Sequence, residues 1–241
     1  TVHQSGAVEL GPAAIVENCI VLGSHSVGIR VTSNSTVKDS QFLWNGNAGF
    51  HNGGDSTLIE RNEFAYNGWA GFKGDWSRGG LKVPSLSNSI IRRNYSHHNT
   101  GPGIWFDINA HNNICEENLC EFNTWEGILF EMSCHGVFRH NVCRSNGLFP
   151  RDGLLWGAPF VIQNSKDTDV YENYFEAAQS SGARAAGLTI VNQNRIEHLG
   201  GACGANHVAE RNHIHDNVMI LPGGGSHGLQ YGTFGWETHA D

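Results

Sequence analysis

One short pattern recurs along the chain and constrains its fold more than any other feature. An apolar pair is followed by two polar residues, an Asn and a second apolar position, as in LIERNEF at 58–64 and ICEENLC at 114–120. The separations between aligned copies, 22, 22, 32, 24, 23, 32 and 39 residues, indicate a repeat near 22 residues with insertions. The aligned positions are Asn18, Ser40, Asn62, Asn94, Asn118, Asn141, Asn173 and Asn212.

A second element follows in each repeat and has the sequence Gly, apolar, any residue, apolar. It reads GIWF at 103–106 and GILF at 127–130. Alternation over four or five residues is typical of a β-strand. Two or three short strands in a repeat of this length predict an all-β parallel β-helix of about eight coils. We expect one domain over 1–241, or a piece of a longer chain.

The repeat assigns structural roles to several polar residues and cysteines. Stacked Asn side chains at a β-helix turn hydrogen-bond between coils, so we interpret the Asn positions as structural. Cys120 and Cys143 share one apolar position in neighbouring coils, which favours packed thiols over a disulfide. Loop insertions are expected at roughly 66–80, 147–159 and 176–205, gathered on one face where solenoids often bind their ligands.

Charge and composition exclude several functions. Lys and Arg total 15 against 23 Asp and Glu, a net charge of −8, and no basic run offers phosphates a binding surface. The apolar runs are too short to span a bilayer. The six cysteines form no CxxC pair, which argues against a zinc site. The expected partner is a carbohydrate, with no nucleic acid and no membrane, and the oligomeric state stays open.

Two carboxylates are predicted to stack on the outer face of the cylinder. In GIWFD and GILFE the apolar positions face the core, so Asp107 and Glu131 face outward, 24 residues and one coil apart. Stacking near 4.8 Å is close to the separation of a retaining glycosidase pair. Another use of such a pair would be to bind Ca²⁺. We otherwise predict no metal and no cofactor.

Other residues are predicted to bind substrate around this pair. Lys82 could supply a cation, and tryptophans could stack on sugar rings or instead pack beneath a loop. Two adjacent histidines precede GPGIWFD, and a glutamine in the next coil extends the row. The predicted substrate-binding residues are Asp75, Trp76, Lys82, His97, His98, Trp105, Trp125 and Gln163.

The sequence resembles known carbohydrate-active proteins. Its repeats look like the right-handed parallel β-helix of pectate lyases, and 101–143 is similar to the catalytic core of the β-helix β-xylosidases, glycoside hydrolase family one hundred and twenty. In that family the strand Asp is the nucleophile and the strand Glu one coil later is the acid/base. The resemblance implies these roles for Asp107 and Glu131, and it implies a secreted or periplasmic protein. The chain lacks the inserted β-sandwich of that family.

Three functions therefore stay open at the level of sequence. The first is a retaining glycoside hydrolase acting on a plant or microbial polysaccharide or oligosaccharide. The second is a polysaccharide lyase or epimerase on a uronate polymer, for which Arg30, His51, Lys73 and Lys82 would form a cationic row. The third is a non-catalytic carbohydrate-binding solenoid, because a fold alone does not establish an activity.

Overall fold

Three parallel β-sheets wind around one apolar core. The computed structural model describes residues 8–51, 54–73, 77–148, 156–178, 186–193, 201–204, 207–222 and 227–234. Every named strand pairs in parallel with its counterpart one coil away. The predicted all-β parallel β-helix is confirmed, and each coil contributes one strand to each sheet. No helix long and apolar enough to cross a membrane occurs among the described residues.

Sheet A carries the Gly-apolar strands. In spatial order it contains β1 (Val8–Glu9), β4 (Ile29–Arg30), β7 (Ala48–His51), β10 (Gly79–Pro84), β13 (Ile104–Asp107), β16 (Ile128–Glu131), β19 (Phe160–Gln163), β22 (Ala186–Gln193) and β25 (His227–Phe234).

Sheets B and C carry the strands on either side of the repeated Asn. Sheet B contains β2 (Ile15–Glu17), β5 (Thr36–Lys38), β8 (Leu58–Glu60), β11 (Ile90–Arg92), β14 (Ile114–Glu116), β17 (Val137–Arg139), β20 (Asp169–Tyr171) and β23 (His213–His215). Sheet C contains β3 (Ile20–Leu22), β6 (Gln41–Leu43), β9 (Glu63–Ala65), β12 (Tyr95–His97), β15 (Leu119–Glu121), β18 (Val142–Asn146), β21 (Tyr174–Ala177) and β24 (Val218–Ile220).

The turn between sheets B and C is held by a ladder of asparagines. Asn94 donates from its side chain to Asn118 Oδ1 at 3.0 Å and to the Ile59 carbonyl at 2.9 Å, so it bonds to the coils on both sides. The residue before the Asn has a left-handed φ, as at Arg93 (56°), which turns the chain between the strands. The predicted structural role of the Asn positions is thereby confirmed for the middle coils.

The two ends of this ladder differ from the prediction. The backbone N–H of Asn173 donates to Asn217 Oδ1, not to Asn212, because the insertion before the last coil hides the true spacing. Asn212 instead accepts from the Thr168 backbone N–H. At the first coil, Cys19 rather than Asn18 lies opposite Ser40 and donates its N–H to the Ser40 hydroxyl. A second ladder, not recognised in the sequence, contains Asn45, Asn67, Asn99, Asn123 and Asn146.

The core consists of stacked aliphatic and aromatic residues with three free thiols. Phe106, Phe130 and Phe138 contact one another edge to face, and Cys120 pairs in register with Cys143. Both cysteines are buried and free, as predicted. A disulfide that the sequence did not suggest joins Cys134 to Cys203, 69 residues apart.

Along the chain, the extra residues of the long coils adjoin strands of sheet A. Residues 66–78 precede β10, residues 147–159 precede β19, and the third insertion lies on either side of β22. Among the described insertion residues, Trp156 and Ala158 pack on outward residues of sheet A, and the gathering of all three insertions on one face stays a prediction. The chemistry of the molecule should therefore be sought on the outer face of sheet A.

Candidate active site on the outer face of sheet A

The strands of sheet A place the two predicted carboxylates side by side. Phe106 pairs in register with Phe130, so Asp107 and Glu131 are the next residues of adjacent strands. Adjacent strands lie about 4.8 Å apart. Glu131 in turn pairs with Gln163 on the following coil. The predicted row of Asp107, Glu131 and Gln163 is therefore present.

A second outward row runs beside the first, two residues earlier in each strand. His51 pairs with Lys82, Lys82 with Trp105, and Trp105 with Leu129. Alternate residues of a strand point to the same face, so these side chains neighbour the carboxylate row diagonally. The two rows together form a continuous patch on the outer face of the sheet.

Lys82 and Trp105 link the two carboxylates. Lys82 Nζ lies 2.8 Å from Asp107 Oδ2 and 3.6 Å from the centre of the Trp105 ring. The Trp105 indole N–H donates to Glu131 Oε2 at 2.9 Å. Each carboxylate thus has a distinct partner: an ammonium for Asp107 and an indole N–H for Glu131. This difference gives the two acids different electrostatic surroundings.

A small apolar cluster outside the main core borders these polar groups and includes Trp105. Trp105, Leu129 and Val161 pack with Ala158 and Val191, and Trp156 packs against them. Asp107 retains 7% of its exposure, and Lys82 and Glu131 retain 4% each. Burial of charges in this way is unfavourable unless they are paired, so the arrangement requires the contacts described above.

The expectation that Trp105 and Trp125 offer open stacking surfaces is wrong for this structure. Trp105 is 1% exposed because it lies in the apolar cluster, and Trp125 is 8% exposed. The Arg78 guanidinium lies 5.1 Å from the centre of the Trp125 ring. Both rings therefore have the packing role that was the alternative. Asp75 and Trp76 lie outside the described residues.

His97 and His98 do not join the carboxylate pair. His97 belongs to β12 of sheet C, and its Nε2 lies 3.0 Å from Glu63 Oε1. Its Nδ1 lies 2.8 Å from His98 Nδ1, and its ring stacks on Tyr95. The two histidines are close to GPGIWFD in sequence, but the chain turns a corner between them and β13. They contact the outer face of another sheet.

The predicted cationic row is also wrong in its charge. Burial, together with Arg30 and Lys82, lowers the pKa of His51 to about 4, so this imidazole is neutral at neutral pH. Arg30 pairs with Glu9 at 3.1 Å, and Lys82 pairs with Asp107. What the sequence analysis missed is a neutral imidazole next to a buried ammonium. The register that places His51 beside Lys82 crosses the insertion before β10, so residue spacing alone did not reveal it.

Glu126 is a further buried acid that the sequence analysis did not single out. It is fully buried at the turn before β16, and its Oε1 accepts from the Gly157 backbone N–H at 3.1 Å. Its Oε2 has no hydrogen-bond partner among the residues that the structure describes. Glu126 anchors the segment that covers the patch, so we assign it to the support of the site.

The fold and this patch define a class of right-handed β-helix proteins with a polar site on one sheet. Residues 4–175 match the family model described as a right-handed β-helix region, and the chain belongs to that family. No curated protein matches the chain.

Several solved structures share the fold. The A-module of the Azotobacter vinelandii mannuronan C-5 epimerase AlgE6 matches with a TM-score of 0.71 and 15% identity over 92% of this chain and 55% of that one. A variant of the periplasmic alginate epimerase AlgG matches with a TM-score of 0.61 and 16% identity over 92% and 50%. The Azotobacter vinelandii AlgE4 A-module gives 0.55 and 13% over 94% and 63%. The chain thus spans about half to two thirds of these chains, and the likeness concerns the fold.

Proposed function

We propose that the chain is a carbohydrate-active enzyme that hydrolyses glycosidic bonds with retention of anomeric configuration. The observation that carries the proposal is the position of Asp107 and Glu131 on adjacent strands of a rigid sheet. A strand spacing of about 4.8 Å suits the roughly 5–5.5 Å between the carboxyls of retaining enzymes. Inverting enzymes need about 6.5–9.5 Å, to leave room for a water molecule.

In the proposed reaction Asp107 attacks the anomeric carbon and forms a glycosyl-enzyme. The bond to the leaving oxygen breaks as the Glu131 proton passes to that oxygen. Glu131 then takes a proton from water, the water oxygen attacks the anomeric carbon, and the Asp107 carboxylate is released. Lys82 would position Asp107 through their 2.8 Å ion pair, and Trp105 would position Glu131 through its indole N–H.

Substrate binding is proposed for residues bordering this pair. Gln163 lies next to Glu131 and donates from its side chain to Gln193 Oε1 at 2.7 Å. An amide in that position can exchange this bond for one to a sugar hydroxyl. Asp75 and Trp76, in the insertion before β10, are retained as proposed substrate contacts.

The test is hydrolysis of aryl glycosides and cell-wall oligosaccharides by the parent, Asp107→Asn and Glu131→Gln. We expect the parent to release reducing sugar and both variants to lose most of this activity. Glu121→Gln is the matched control: Glu121 is also a buried acid, 6% exposed, but it bonds to Arg144 and Tyr95 on sheet C. Variants that hydrolyse as fast as the parent would overturn the assignment.

Azide separates the two roles. With Asp107→Ala, azide should restore turnover and give a glycosyl azide of inverted configuration, because azide replaces the nucleophile. With Glu131→Ala, azide should react with the glycosyl-enzyme and give the retained configuration. The opposite stereochemistry in the two variants would exchange the roles of Asp107 and Glu131.

A second candidate is an epimerase or lyase acting on a uronate polymer. Two observations favour it: His51 is a neutral imidazole beside Lys82, and the matching structures are named as alginate or mannuronan epimerases. A neutral imidazole can accept a proton, and an ammonium can neutralise a uronate carboxylate. Ultraviolet absorbance from an unsaturated product would indicate a lyase. Uptake of deuterium from heavy water without chain cleavage would indicate an epimerase, and His51→Gln should abolish either.

We also propose a periplasmic or extracellular location. The Cys134–Cys203 disulfide supports it, since disulfides persist in compartments that oxidise thiols. Expression in an oxidising and in a reducing compartment, followed by thiol counting, tests the proposal. Five free thiols or more in protein from its native location would contradict it, because Cys19, Cys115, Cys120 and Cys143 account for four.

A further inference from the structure

The outer face of sheet B changes character in its last two described coils. One outward column is aliphatic in the middle of the sheet, with Ile90, Ile114 and Val137 in register. The same column continues as Asp169 and then His213. A column that is aliphatic in these middle coils therefore ends in a carboxylate and an imidazole.

The neighbouring column changes in the same two coils. It carries paired charges along the sheet, including Glu116 with Arg139, and continues as Tyr171 and His215. His213 and His215 are two residues apart on β23, so their side chains point to the same face. The substitutions in both columns bring two imidazoles and one carboxylate together.

The three side chains converge on one Asp169 oxygen. Asp169 Oδ1 lies 3.4 Å from His213 Nδ1 and 3.2 Å from His215 Nε2. One donor atom from each residue lies within 4.8 Å of the others. Zinc bonds of about 2.0–2.1 Å in a tetrahedron place neighbouring ligand atoms about 3.3 Å apart. The two measured separations are close to that value.

The hydrogen bond on the far side of His215 supports a cation at this point. His215 Nδ1 lies 2.8 Å from Asp216 Oδ2, so a carboxylate holds this nitrogen and Nε2 is the nitrogen that faces the Asp169 oxygen. A carboxylate bonded to the far nitrogen is typical of metal-bound histidines. Tyr171 stacks on the His215 ring at 5.1 Å and fixes its plane.

We propose that Asp169, His213 and His215 bind a divalent late transition metal ion, with Zn²⁺ as the best match. Two imidazoles and one carboxylate are typical ligands of Zn²⁺. Ca²⁺ and Mg²⁺ prefer sites made entirely of oxygen ligands, so this site disfavours them. Asp169 comes from one coil and both histidines come from the next, so the ion cross-links β20 to β23. It holds in place the coil that follows the longest insertion, and its exposed side leaves a coordination position for water.

The test measures metal binding directly and uses protein without an affinity tag, stripped with chelator. Titration with Zn²⁺ by calorimetry should give one site per chain, and Co²⁺ should develop the visible absorption of a tetrahedral complex. Zn²⁺ should also raise the midpoint of thermal unfolding, because it binds the folded state. Mg²⁺ at the same concentration should do neither.

Variants assign the site. His213→Ala and His215→Ala should abolish the one-to-one binding, and Asp216→Asn should weaken it about 10–100-fold, the usual effect of removing a supporting carboxylate. His140→Ala is the matched control, since this histidine lies on the preceding coil, 3.3 Å from Glu172. The replaced side chains are exposed or half-buried, and unfolding without metal should match the parent.

Two results would overturn the proposal. If the stripped parent binds neither Zn²⁺ nor Co²⁺, the cluster is an ion pair between Asp169 and protonated histidines only. If binding persists in a His213→Ala, His215→Ala double variant that unfolds like the parent, the metal occupies another part of the chain.

Discussion

Two Lys–carboxylate ion pairs join adjacent coils of this molecule and differ mainly in their exposure to solvent. On sheet B, Lys38 Nζ lies 3.0 Å from Glu17, and the side chains are 29% and 43% exposed. On sheet A, Lys82 Nζ lies 2.8 Å from Asp107, and the side chains are 6% and 10% exposed. The two ion-pair distances are nearly equal while the exposures differ several-fold, so the comparison bears on the effect of burial.

Sheet B carries ion pairs that remain accessible to solvent. Its outward column alternates in sign, with pairs such as Glu17 with Lys38 and Glu116 with Arg139. Exposed pairs of this kind contribute only about 0–1 kcal/mol each, and their members can be exchanged. On sheet A, Trp156 and Ala158 pack on the cluster around Trp105, and the buried polar groups contact one another. Costly burial of this kind is what a catalytic site requires and a surface does not.

The largest expected effect comes from removing the buried ammonium. Lys82→Met should reduce the free energy of unfolding by about 3–5 kcal/mol, because it leaves the Asp107 carboxylate buried without a cation. Lys38→Met on sheet B should reduce it by about 0–1 kcal/mol. Denaturant unfolding of both variants measures the difference. Equal losses would mean that burial does not distinguish the pairs.

A double variant separates the buried charge from lost packing. Lys82→Met with Asp107→Leu removes both charges, and its unfolding free energy should exceed that of Lys82→Met alone. If the double variant is less stable than the single one, packing of the Lys82 stem explains the loss instead.

The next effect is the pH dependence due to His51. Its folded pKa of about 4 lies below the ordinary value of 6.5, so between these values the unfolded chain binds more protons than the folded one. Stability should therefore be complete above about pH 6.5 and fall as the pH decreases towards 4. A shift of this size corresponds to about 3 kcal/mol.

Unfolding free energies of His51→Gln and the parent between pH 4 and 7 test this dependence. The variant should lose less stability across the window than the parent. His140→Gln, which replaces an exposed histidine at the turn after β17, should follow the parent curve. Parallel curves for all three proteins would place His51 in a more solvated environment.

A third and smaller effect concerns the indole that contacts Glu131. Trp105→Phe removes an N–H donor to a buried carboxyl group and should cost about 1–3 kcal/mol. Trp69→Phe is the matched control, since the Trp69 indole donates to the Trp44 carbonyl at 2.8 Å while the residue is 53% exposed. That change should cost less than about 1 kcal/mol. If both variants lost a similar amount of stability, the hydrogen bond from Trp105 to Glu131 would contribute no more than the exposed one from Trp69.

The smallest effect is the response to salt. Glu116→Gln should cost about 0–1 kcal/mol at low ionic strength and less in 1 M salt, where the screening length falls to about 3 Å. The loss in Lys82→Met should change little with salt, because the pair is buried. Unfolding at both salt concentrations checks this, and a large salt response of the Lys82 variant would contradict the burial of its pair.

The sequence was informative wherever one coil follows the next without interruption. Asp107 and Glu131 could be placed side by side because 24 residues without an insertion separate them. The pairing of Cys120 with Cys143 followed for the same reason. In these coils, counting residues is equivalent to counting strands, so side-chain neighbours can be read from spacing alone.

Prediction failed where the chain leaves the repeat. Asn212 was assigned to a rung that Asn217 occupies, because the preceding insertion has no periodic marker. The packing of Trp156 and Ala158 around Trp105 and the Cys134–Cys203 disulfide both involve residues in insertions. The repeat pattern does not determine the positions of these residues. The pairing of Asp169 with His213 on the next coil was not predicted for the same reason, because this insertion separates them in sequence.

The asparagine ladder also bears on how such a molecule can change over generations. Asn94 bonds to the coil before it and the coil after it, and Asn118 and Asn141 do the same. Duplication of the gene segment that encodes one coil would therefore add a rung without disturbing those already present. The outer face of sheet A can be lengthened by whole coils in this way, while the existing arrangement around Asp107 stays intact.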